Sequence, residues 1–290
     1  MKITVIGGSG FLGSHVADQL SKAGHDVTIF DKVNSKWIRK DQKIVLGNVM
    51  NSKDLEKVIS KSKIVYHFAA LGDIDDTVKK PIETAKVNII GTLNVLELCK
   101  KYKVKRLIFA STIYVYSTDG NFYKCSKQSS ESFIEEYNKQ YNLEYTILRY
   151  GSIYGPRSNT SNGIYRIVDS AIKNKQIVYE GDKDSRREYI HVEDAAIASV
   201  KTLNDEFINQ NLIITGQQSY KVENVLKMLS EIVGIKKIKF KKSKTEGHYV
   251  MTPYNYQPKI AKKFTQNIYY DFGQGLMQLI EEIKNKKWKI

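Results

Sequence analysis

This sequence of 290 residues is poor in the residues that crosslink or interrupt a fold: it has two cysteines and four prolines. Cys99 and Cys125 are too few for a disulfide framework, which excludes the small disulfide-rich secreted classes and suits a reducing cytoplasm. No apolar run reaches the length of a transmembrane helix, and the first residues have the pattern of a strand rather than of a signal peptide. We therefore expect a cytoplasmic protein with no membrane partner, long enough to bury a sizeable core.

Acidic residues are also scarce relative to basic ones, with 31 Asp and Glu against 46 Lys and Arg and a net charge of +15. Such a balance raises nucleic acid or a membrane surface as partners. The excess charge is spread nearly evenly between residues 1–150 and the remainder, which is more typical of a solvated lysine-rich surface than of a binding stripe. We expect no nucleic-acid partner, although the positive field would attract a diphosphate ligand.

A glycine-rich turn follows the first predicted strand. Lys2 to Ile6 is rich in β-branched residues and leads into Gly7-Gly8-Ser9-Gly10-Phe11-Leu12-Gly13 and then a helical pattern. Strand, glycine turn and helix in this order are the context of a dinucleotide-binding fingerprint, although the glycines here are spaced three apart. Gly7 would make the tight turn, Gly10 would admit a pyrophosphate, and Gly13 would let the helix pack closely on the strand.

An acidic residue stands where such a fingerprint needs one. A second strand from Asp26 ends in Asp31, about twenty residues after the glycines, where a carboxylate can bind the adenosine ribose. A carboxylate there would repel a 2′-phosphate, so it favours NAD over NADP. Lys32, Lys36 and Arg39 weaken that preference.

Tyr123 and Lys127 are four residues apart in the segment Tyr-Lys-Cys-Ser-Lys. On a helix this spacing places both side chains on one face. A free phenol has a pKa near 10 and is a poor base at neutral pH unless a neighbouring cation stabilises the phenolate. The pair is therefore a candidate for proton transfer.

Strands and helices alternate through the first two-thirds of the chain. The patterns predict strands at 2–6, 26–30, 43–46, 64–67, 106–110 and 144–149, and helices at 14–23, 52–60, 81–101 and 123–141. This alternation predicts an α/β fold with a doubly wound parallel sheet. Ligands of such sheets bind outside the carboxyl ends of the strands, so residues just after each strand are candidate site residues.

The motifs in this order resemble the extended short-chain dehydrogenases/reductases of the NAD-dependent nucleotide-sugar epimerase/dehydratase family. The resemblance covers roughly residues 1–200 and rests on the glycine turn, Asp31, His67-Phe68-Ala69-Ala70, Asn88 with Gly91-Thr92, Ser111-Thr112, Tyr123-x-x-x-Lys127, Arg149-Tyr150, Tyr154-Gly155-Pro156-Arg157 and Arg187 to Asp194.

The resemblance implies roles for individual residues. Tyr123 would be the base at the sugar 4-hydroxyl, Lys127 would lower the tyrosine pKa and bond the nicotinamide ribose, and Thr112 would hold the reacting oxygen. NAD contacts are implied for Gly7, Gly10, Phe11, Leu12, Gly13, Asp31, Lys32, Asn48, Val49, Phe68, Ala69, Ala70, Leu71, Asn88, Ser111, Tyr123, Lys127, Tyr150 and Ile153. Substrate contacts are implied for Thr112, Ile113, Tyr123, Ser152 and Arg187, with Arg187 on the nucleotide diphosphate. No metal is expected.

Two domains and a homodimer are also implied. We expect a dinucleotide-binding Rossmann domain over 1–155 plus about 188–215, and a smaller C-terminal α/β substrate-binding domain over 156–187 plus 216–290. The helices at 81–101 and 123–141 would form the dimer contact, for which the apolar positions are Ile89, Leu93, Leu96, Phe133 and Ile134. These positions fit packing on the sheet equally well.

The implied function is a nucleotide-sugar 4-epimerase that works through a transient 4-keto sugar. A reductase or dehydrogenase of a nucleotide-linked 4-keto sugar would use the same residues, and a non-catalytic dinucleotide-binding protein is a third reading. Ile113 and Tyr114 stand where 4,6-dehydratases have an Asp-Glu pair, so we expect no dehydration. Thr112 lies only 11 residues before Tyr123, where the family usually has a longer loop.

Some residues have more than one reading from the sequence alone. His67 ends a buried strand and is expected to be a packed histidine rather than a base. The aromatic cluster Tyr114, Tyr116, Phe122 and Tyr123 could belong to the core or to a pocket wall.

Overall fold

The computed structural model describes residues 1–241 and 247–253. The strands of this part of the chain are β1 (Lys2–Ile6), β2 (Asp26–Asp31), β3 (Gln42–Leu46), β4 (Ile64–His67), β5 (Arg106–Thr112), β6 (Glu144–Tyr150), β7 (Ser152–Tyr154), β8 (Ile177–Glu180), β9 (Arg186–His191), β10 (Gln210–Ile214), β11 (Ser219–Lys221) and β12 (Ile238–Lys241). The α-helices are α1 (Phe11–Lys22), α2 (Ser52–Ile59), α3 (Ile74–Lys79), α4 (Pro81–Thr84), α5 (Gly91–Lys101), α6 (Asn121–Tyr141), α7 (Gly163–Asn174), α8 (Val192–Lys201) and α9 (Val222–Val233).

Seven strands form one sheet in the order β10-β6-β5-β4-β1-β2-β3, and every pairing in it is parallel. The chain builds outward from β1 to β3 and then returns to the other side of β1 with β4. The strand order therefore reverses between β1 and β4, where sheets of this class bind their ligands. This arrangement confirms the predicted doubly wound parallel sheet.

Neighbouring residues of the inner strands pack into separate cores on the two faces of the sheet. Ile6 belongs to the cluster beneath α2, α5 and α6, whereas Val5 belongs to the cluster beneath α1 and α8. The same alternation separates Val65 from Tyr66 on β4, as the two-residue period of a strand requires. None of the described helices is long and apolar enough to cross a membrane.

The predicted elements agree with the structure apart from their ends and one region. The predicted strands end within two residues of the observed ones. The helix predicted over 81–101 is instead α4 and α5 joined by a π-helical turn at Ala85–Ile90. Helix α3 was not predicted, because its six residues are too few to show a clear helical period.

The remaining strands form two small sheets, in the orders β11-β9-β7 and β12-β8. A third core cluster joins Ala171, Ile177, Val222, Leu226 and Ile235. These five residues fall within the ranges 156–187 and 216–290 assigned from the sequence to the smaller domain. The division into two domains stays a prediction, and the part of it beyond 253 lies outside the described residues.

Candidate active site

Two positions of the turn between β1 and α1 require glycine. Gly7 has a φ of +83°, and a Cβ there would lie 2.5 Å from the Ala69 nitrogen. A Cβ at Gly13 would lie 2.2 Å from the Gly7 oxygen. At Gly10 the nearest atom would be 3.2 Å away, so that side of the turn has more room. The turn is thus tightly packed on the protein side and less crowded where a ligand would approach.

Helix α1 begins at Phe11, and Gly10 before it supplies no side-chain cap. Phe11 and Leu12 are half-buried in the first helical turn. The amides at an uncapped helix start, together with the helix dipole, favour an anion such as a pyrophosphate.

Asp31 ends β2 beside this turn. Its Oδ2 accepts a hydrogen bond from the Ser9 amide at 3.0 Å, and its Oδ1 accepts one from the Val33 amide at 3.3 Å. These bonds fix the carboxylate at the rim of the glycine turn, whereas Lys32 is exposed.

The loop after β3 carries the next two predicted residues. Asn48 is exposed, and its Oδ1 accepts a hydrogen bond from the Met50 amide at 3.0 Å. Val49 is buried, and its carbonyl oxygen accepts a bond from the Asn94 side chain at 3.0 Å. The loop is therefore attached to α5.

Asn88 holds the loop after β4, which comprises residues 68–71. Its Oδ1 accepts from the Leu71 amide at 2.7 Å, and its Nδ2 donates to the Leu71 oxygen at 3.1 Å and to the Ser126 hydroxyl at 2.9 Å. Asn88 lies in the π-helical turn, a feature often found at functional sites, and is buried. It thus joins this loop to α6, and Phe68 and Ala69 pack against the sheet cores.

Tyr123 and Lys127 lie one turn apart on α6, as predicted. The Lys127 ammonium is buried, donates to the Ala110 oxygen at 2.7 Å and lies 4.5 Å from the centre of the Phe109 ring and 5.8 Å from that of Tyr123. Thr112 ends β5 two residues after Ala110, and its Oγ1 accepts from the Tyr114 amide at 3.3 Å.

Burial governs the ionisation of this pair. It raises the pKa of Tyr123 to about 12 and lowers the pKa of Lys127 to about 7, although the Glu131 carboxylate acts in the opposite direction on Lys127. Burial and the Lys127 charge lower the pKa of His67 to about 3, so that histidine stays neutral. Lys127 alone therefore does not activate the phenol, and a further positive charge is needed beside it.

Ser111 turns toward α6 rather than toward the predicted cofactor. Its hydroxyl donates to Glu131 Oε1, and Glu131 also receives two bonds from the Arg149 guanidinium, at 3.0 and 2.7 Å. Arg149 donates in addition to the Tyr116 hydroxyl. This buried network joins β5, β6 and α6 behind Thr112.

A cavity of about 650 Å³ opens at the carboxyl end of β5. It brings together five of the predicted residues, namely Thr112, Tyr123, Ser152, Ile153 and Arg187. Two others lie elsewhere: Ile113 is 1% exposed, and Tyr150 is buried with its hydroxyl 2.7 Å from the Ser199 hydroxyl.

Arg187 is a mostly buried basic residue of the cavity lining. It is 9% exposed, donates to the Arg186 and Val250 oxygens at 3.0 and 3.3 Å, and lies 4.3 Å from the centre of the Tyr249 ring. A guanidinium held in this way is suited to bind a diphosphate.

The family known as the NAD dependent epimerase/dehydratase family matches residues 3–214. The chain belongs to this family. Its match spans the sheet, the glycine turn and the Tyr123 helix, so the resemblance stated from the motifs is confirmed. NAD is the cofactor of the family, as predicted.

A relative in Methanocaldococcus jannaschii, provisionally named a UDP-glucose 4-epimerase, is 32% identical over 241 residues, covering 75% of this chain and 78% of the relative. Two further relatives bear the names of other reactions. They are a UDP-N-acetyl-α-D-glucosaminuronate decarboxylase of Bacillus cytotoxicus, 31% identical over 75% of each chain, and a dTDP-D-glucose 4,6-dehydratase of Dictyostelium discoideum, 30% identical over 68% of this chain and 54% of the relative. The family relationship thus spans several reactions on nucleotide sugars.

Solved structures of the family have the same fold. The UDP-glucose 4-epimerase of Thermotoga maritima with UDP-glucose superposes with a TM-score of 0.81 at 28% identity, over 88% of this chain and 90% of the other. The UDP-glucuronic acid 4-epimerase of Bacillus cereus, solved with UDP-glucuronic acid and NAD, gives 0.81 at 25% identity over 90% and 95%. This chain therefore has the fold of nucleotide-sugar epimerases.

Among the cavity residues that were not assigned to the site from the sequence are Asp75, Tyr114, His248 and Tyr249. Tyr114 stood in an aromatic cluster whose location the spacing left open. His248 and Tyr249 belong to no family motif recognised in the sequence, so only the fold places them at the site. Within the described residues, no group of three or more His, Cys, Asp or Glu side chains could hold a metal ion.

Proposed function

We propose that this chain is an NAD-dependent nucleotide-sugar 4-epimerase. The observation that carries the proposal is that Tyr123, Thr112 and Arg187 line one cavity, with Lys127 one helical turn from Tyr123. These residues supply a base, a hydrogen-bonding hydroxyl and a guanidinium for a diphosphate. The 4-epimerases among the relatives and solved neighbours support the choice of reaction.

The residues present fit NAD. Gly7 and Gly13 bring α1 against the turn, and the start of α1 favours a pyrophosphate. Asp31 would accept hydrogen bonds from the adenosine ribose. Asn48 follows β3 and residues 68–71 follow β4, so both loops lie at the carboxyl ends of the parallel strands, as Asp31 does. When bound, NAD supplies the acceptor and later the donor of hydride.

The protein's side chains would move one proton and hold two parts of the substrate. Tyr123 Oη takes the proton of the 4-hydroxyl as the carbon is oxidised and returns it when hydride comes back to the other face of the ketone. Thr112 Oγ1 would hold the reacting oxygen, and Arg187 would hold the diphosphate while the sugar turns. The positive nicotinamide would provide the charge that Tyr123 needs for a lower pKa.

We also propose that the chain does not dehydrate its substrate. Ile113, directly after Thr112, has a hydrocarbon side chain that is fully packed inside the protein. Tyr114 lines the cavity, but burial raises the pKa of its phenol far above neutrality, so it is a poor base. Neither residue can replace the acid and base that eliminate water.

A cytoplasmic homodimer completes the proposal. Of the apolar positions predicted for the dimer contact, Leu96 and Ile134 are buried in the core, whereas Phe133 is 41% exposed. Ile82 and Ile90 are also exposed, at 72% and 44%, on helical segments that pack against α6. Burying these side chains would favour association.

The test combines the cofactor of the purified protein with turnover of UDP-hexoses. We expect near-stoichiometric NAD in a denatured extract and interconversion of UDP-glucose and UDP-galactose, or of their N-acetylated forms. Tyr123→Phe should abolish interconversion and keep NAD, whereas Tyr141→Phe, an exposed tyrosine on the same helix, should leave turnover unchanged.

Other outcomes point to other functions. An empty protein that oxidises added NADH or NADPH only with a nucleotide-linked 4-keto sugar would indicate the reductase instead. Loss of water from dTDP-glucose would contradict the exclusion of dehydration. A protein with no affinity for any dinucleotide would exclude both enzymatic functions.

A further inference from the structure

The short connection between Thr112 and Tyr123 packs against a segment distant in sequence. This connection ends at Gly120, whose φ is +101° and whose amide donates to the Gly247 oxygen at 2.9 Å. A Cβ at Gly247 would lie 2.3 Å from the side-chain nitrogen of Asn121. Because Gly247 has no Cβ, the segment Gly247–Val250 can lie directly on the start of α6.

The same segment is held from its other side by β9. The Arg186 amide donates to the Val250 oxygen at 2.7 Å, and the Arg187 guanidinium lies over the Tyr249 ring. The Tyr249 ring contacts the Tyr114 ring, with centres 4.7 Å apart. Gly247–Val250 is therefore an attached wall of the cavity.

His248 projects from this wall between two polar groups. Its Nδ1 is 2.9 Å from the Tyr114 hydroxyl, and its Nε2 is 3.8 Å from Asp75 Oδ1. A carboxylate on the Nε2 side favours the tautomer with its proton on Nε2, so the Tyr114 hydroxyl donates to Nδ1. Burial lowers the pKa of His248, which keeps the ring neutral at pH 7.

Asp75 supplies the complementary acceptor. Its Oδ1 is buried and has no hydrogen-bond partner among the residues described, since 3.8 Å is too long for a bond to Nε2. About a third of its side chain remains exposed, and both Asp75 and His248 line the cavity that holds Tyr123. An N–H donor and a carboxylate acceptor therefore lie side by side on this wall.

A sugar hydroxyl fits this pair, because a hydroxyl both donates and accepts. A phosphate or a uronate carboxylate offers only acceptors, so it could accept from His248 but could not donate to Asp75. We propose that His248 and Asp75 recognise a hydroxyl of a neutral hexose whose reacting carbon lies at Thr112 and Tyr123. This inference rests on the proposed nucleotide-sugar function and adds the class of sugar and the residues that select it.

The test compares binding of a nucleotide with binding of the same nucleotide carrying a sugar. The NAD-loaded protein is titrated calorimetrically with UDP, UDP-glucose and UDP-glucuronate, and in a second series with dTDP and dTDP-glucose. The variants are then compared in the series whose free nucleotide binds more tightly. We expect the glucose conjugate to bind about tenfold more tightly than the nucleotide alone. His248→Ala should remove that gain and leave the affinity for the nucleotide unchanged.

The control is His25→Ala, since His25 lies beside the N-terminus, away from the cavity. An unchanged gain in His248→Ala, or UDP-glucuronate bound as tightly as UDP-glucose, would overturn the inference. Binding does not require turnover, so a protein that shows the gain but interconverts no sugar would sink the proposed reaction and leave the inference standing.

A second measurement keeps the inference testable if His248→Ala fails to fold. The protein has five histidines, so ¹⁵N spectra of the imidazole rings can be assigned. We expect His248 to show the Nε2–H tautomer and its Nε2 signal to shift with UDP-glucose but not with UDP. Tyr114→Phe should mix the two tautomers. A signal that does not respond to the sugar would contradict the contact.

Discussion

The Lys127 ammonium donates a hydrogen bond to the Ala110 carbonyl oxygen at 2.7 Å and so joins α6 to β5. Ala110 lies two residues before Thr112, and Lys127 lies four residues after Tyr123. This bond therefore helps to set the separation of the hydroxyl and the phenol that face the cavity. Replacing Lys127 would disturb both the charge at the site and the alignment of the two elements.

We expect the free energy of unfolding of the cofactor-free protein to rise with pH between about 7 and 10.5 through Lys127. The folded pKa of this group is about 7 against 10.5 for the free side chain, so in this window the unfolded chain holds a proton that the folded chain has released. Raising the pH then favours the folded state. Urea unfolding at several pH values should show a smaller slope in Lys127→Met than in wild type. The same slope in both proteins would contradict this assignment. Lys139→Met on the exposed side of α6 is the control, and it should keep the wild-type slope.

Removing one partner of the Glu131–Arg149 pair should strongly lower the stability of the protein, because the other charge would stay in the protein without its counter-ion. The two side chains are 8% and 13% exposed and form two hydrogen bonds. Glu131→Gln should lower the free energy of unfolding by about 3 kcal/mol, because it leaves a buried guanidinium unpaired. The double variant Glu131→Leu with Arg149→Met should recover part of that loss. Urea unfolding measures the stability of both variants, and a double variant less stable than the single one would refute the argument. Glu136→Gln at the surface is the control, and its free energy of unfolding should stay close to that of wild type.

Alanine at Gly10 and at Gly13 should have different effects. A Cβ at Gly13 would collide with the Gly7 backbone, so Gly13→Ala should destabilise the fold as well as abolish NAD binding. Gly10→Ala has more room and should fold with small adjustment, but its methyl group would occupy the space of the pyrophosphate. Thermal unfolding and NADH fluorescence titration separate the two effects. Gly10→Ala with wild-type affinity would contradict the placement of the pyrophosphate.

Asp31→Asn should reduce the preference for NAD over NADP. The change removes the negative charge at the end of β2 that would repel a 2′-phosphate, while Lys32 remains nearby. We expect the ratio of the NADPH and NADH dissociation constants to fall by roughly tenfold. Asp26→Asn at the other end of β2 is the matched control. An unchanged ratio would mean that another residue sets the preference.

The sheet and the glycine turn could be predicted from the sequence because local pattern determines both. β-Branched runs such as Lys2–Ile6 indicate strands, and the distance from Gly13 to Asp31 matches one helix and one strand. The four-residue spacing of Tyr123 and Lys127 likewise needs only a helix to bring the two side chains to one face. The family comparisons confirm the fold, while the roles of the individual residues stay predictions.

Other features depend on contacts between distant residues and could not be predicted in this way. Ser111 donates to Glu131, because α6 places a buried carboxylate against β5. The pKa of Tyr123 rises because the phenol is buried. His248 reaches the cavity only because Gly247 packs on α6, a contact between residues more than 120 positions apart in the sequence.

The π-helical turn at Ala85–Ile90 makes the position of Asn88 depend on the number of residues in the helix as well as on their identity. A π turn holds about one residue more than an α turn. Removing one residue from Ala85–Ile90 would let α4 and α5 continue as one regular helix, but it would rotate Asn88 away from Leu71 and Ser126. The contacts of Asn88 with Leu71 and Ser126 are therefore sensitive to the length of this helical segment. Relatives that lack the extra residue would have to hold the loop after β4 by other means.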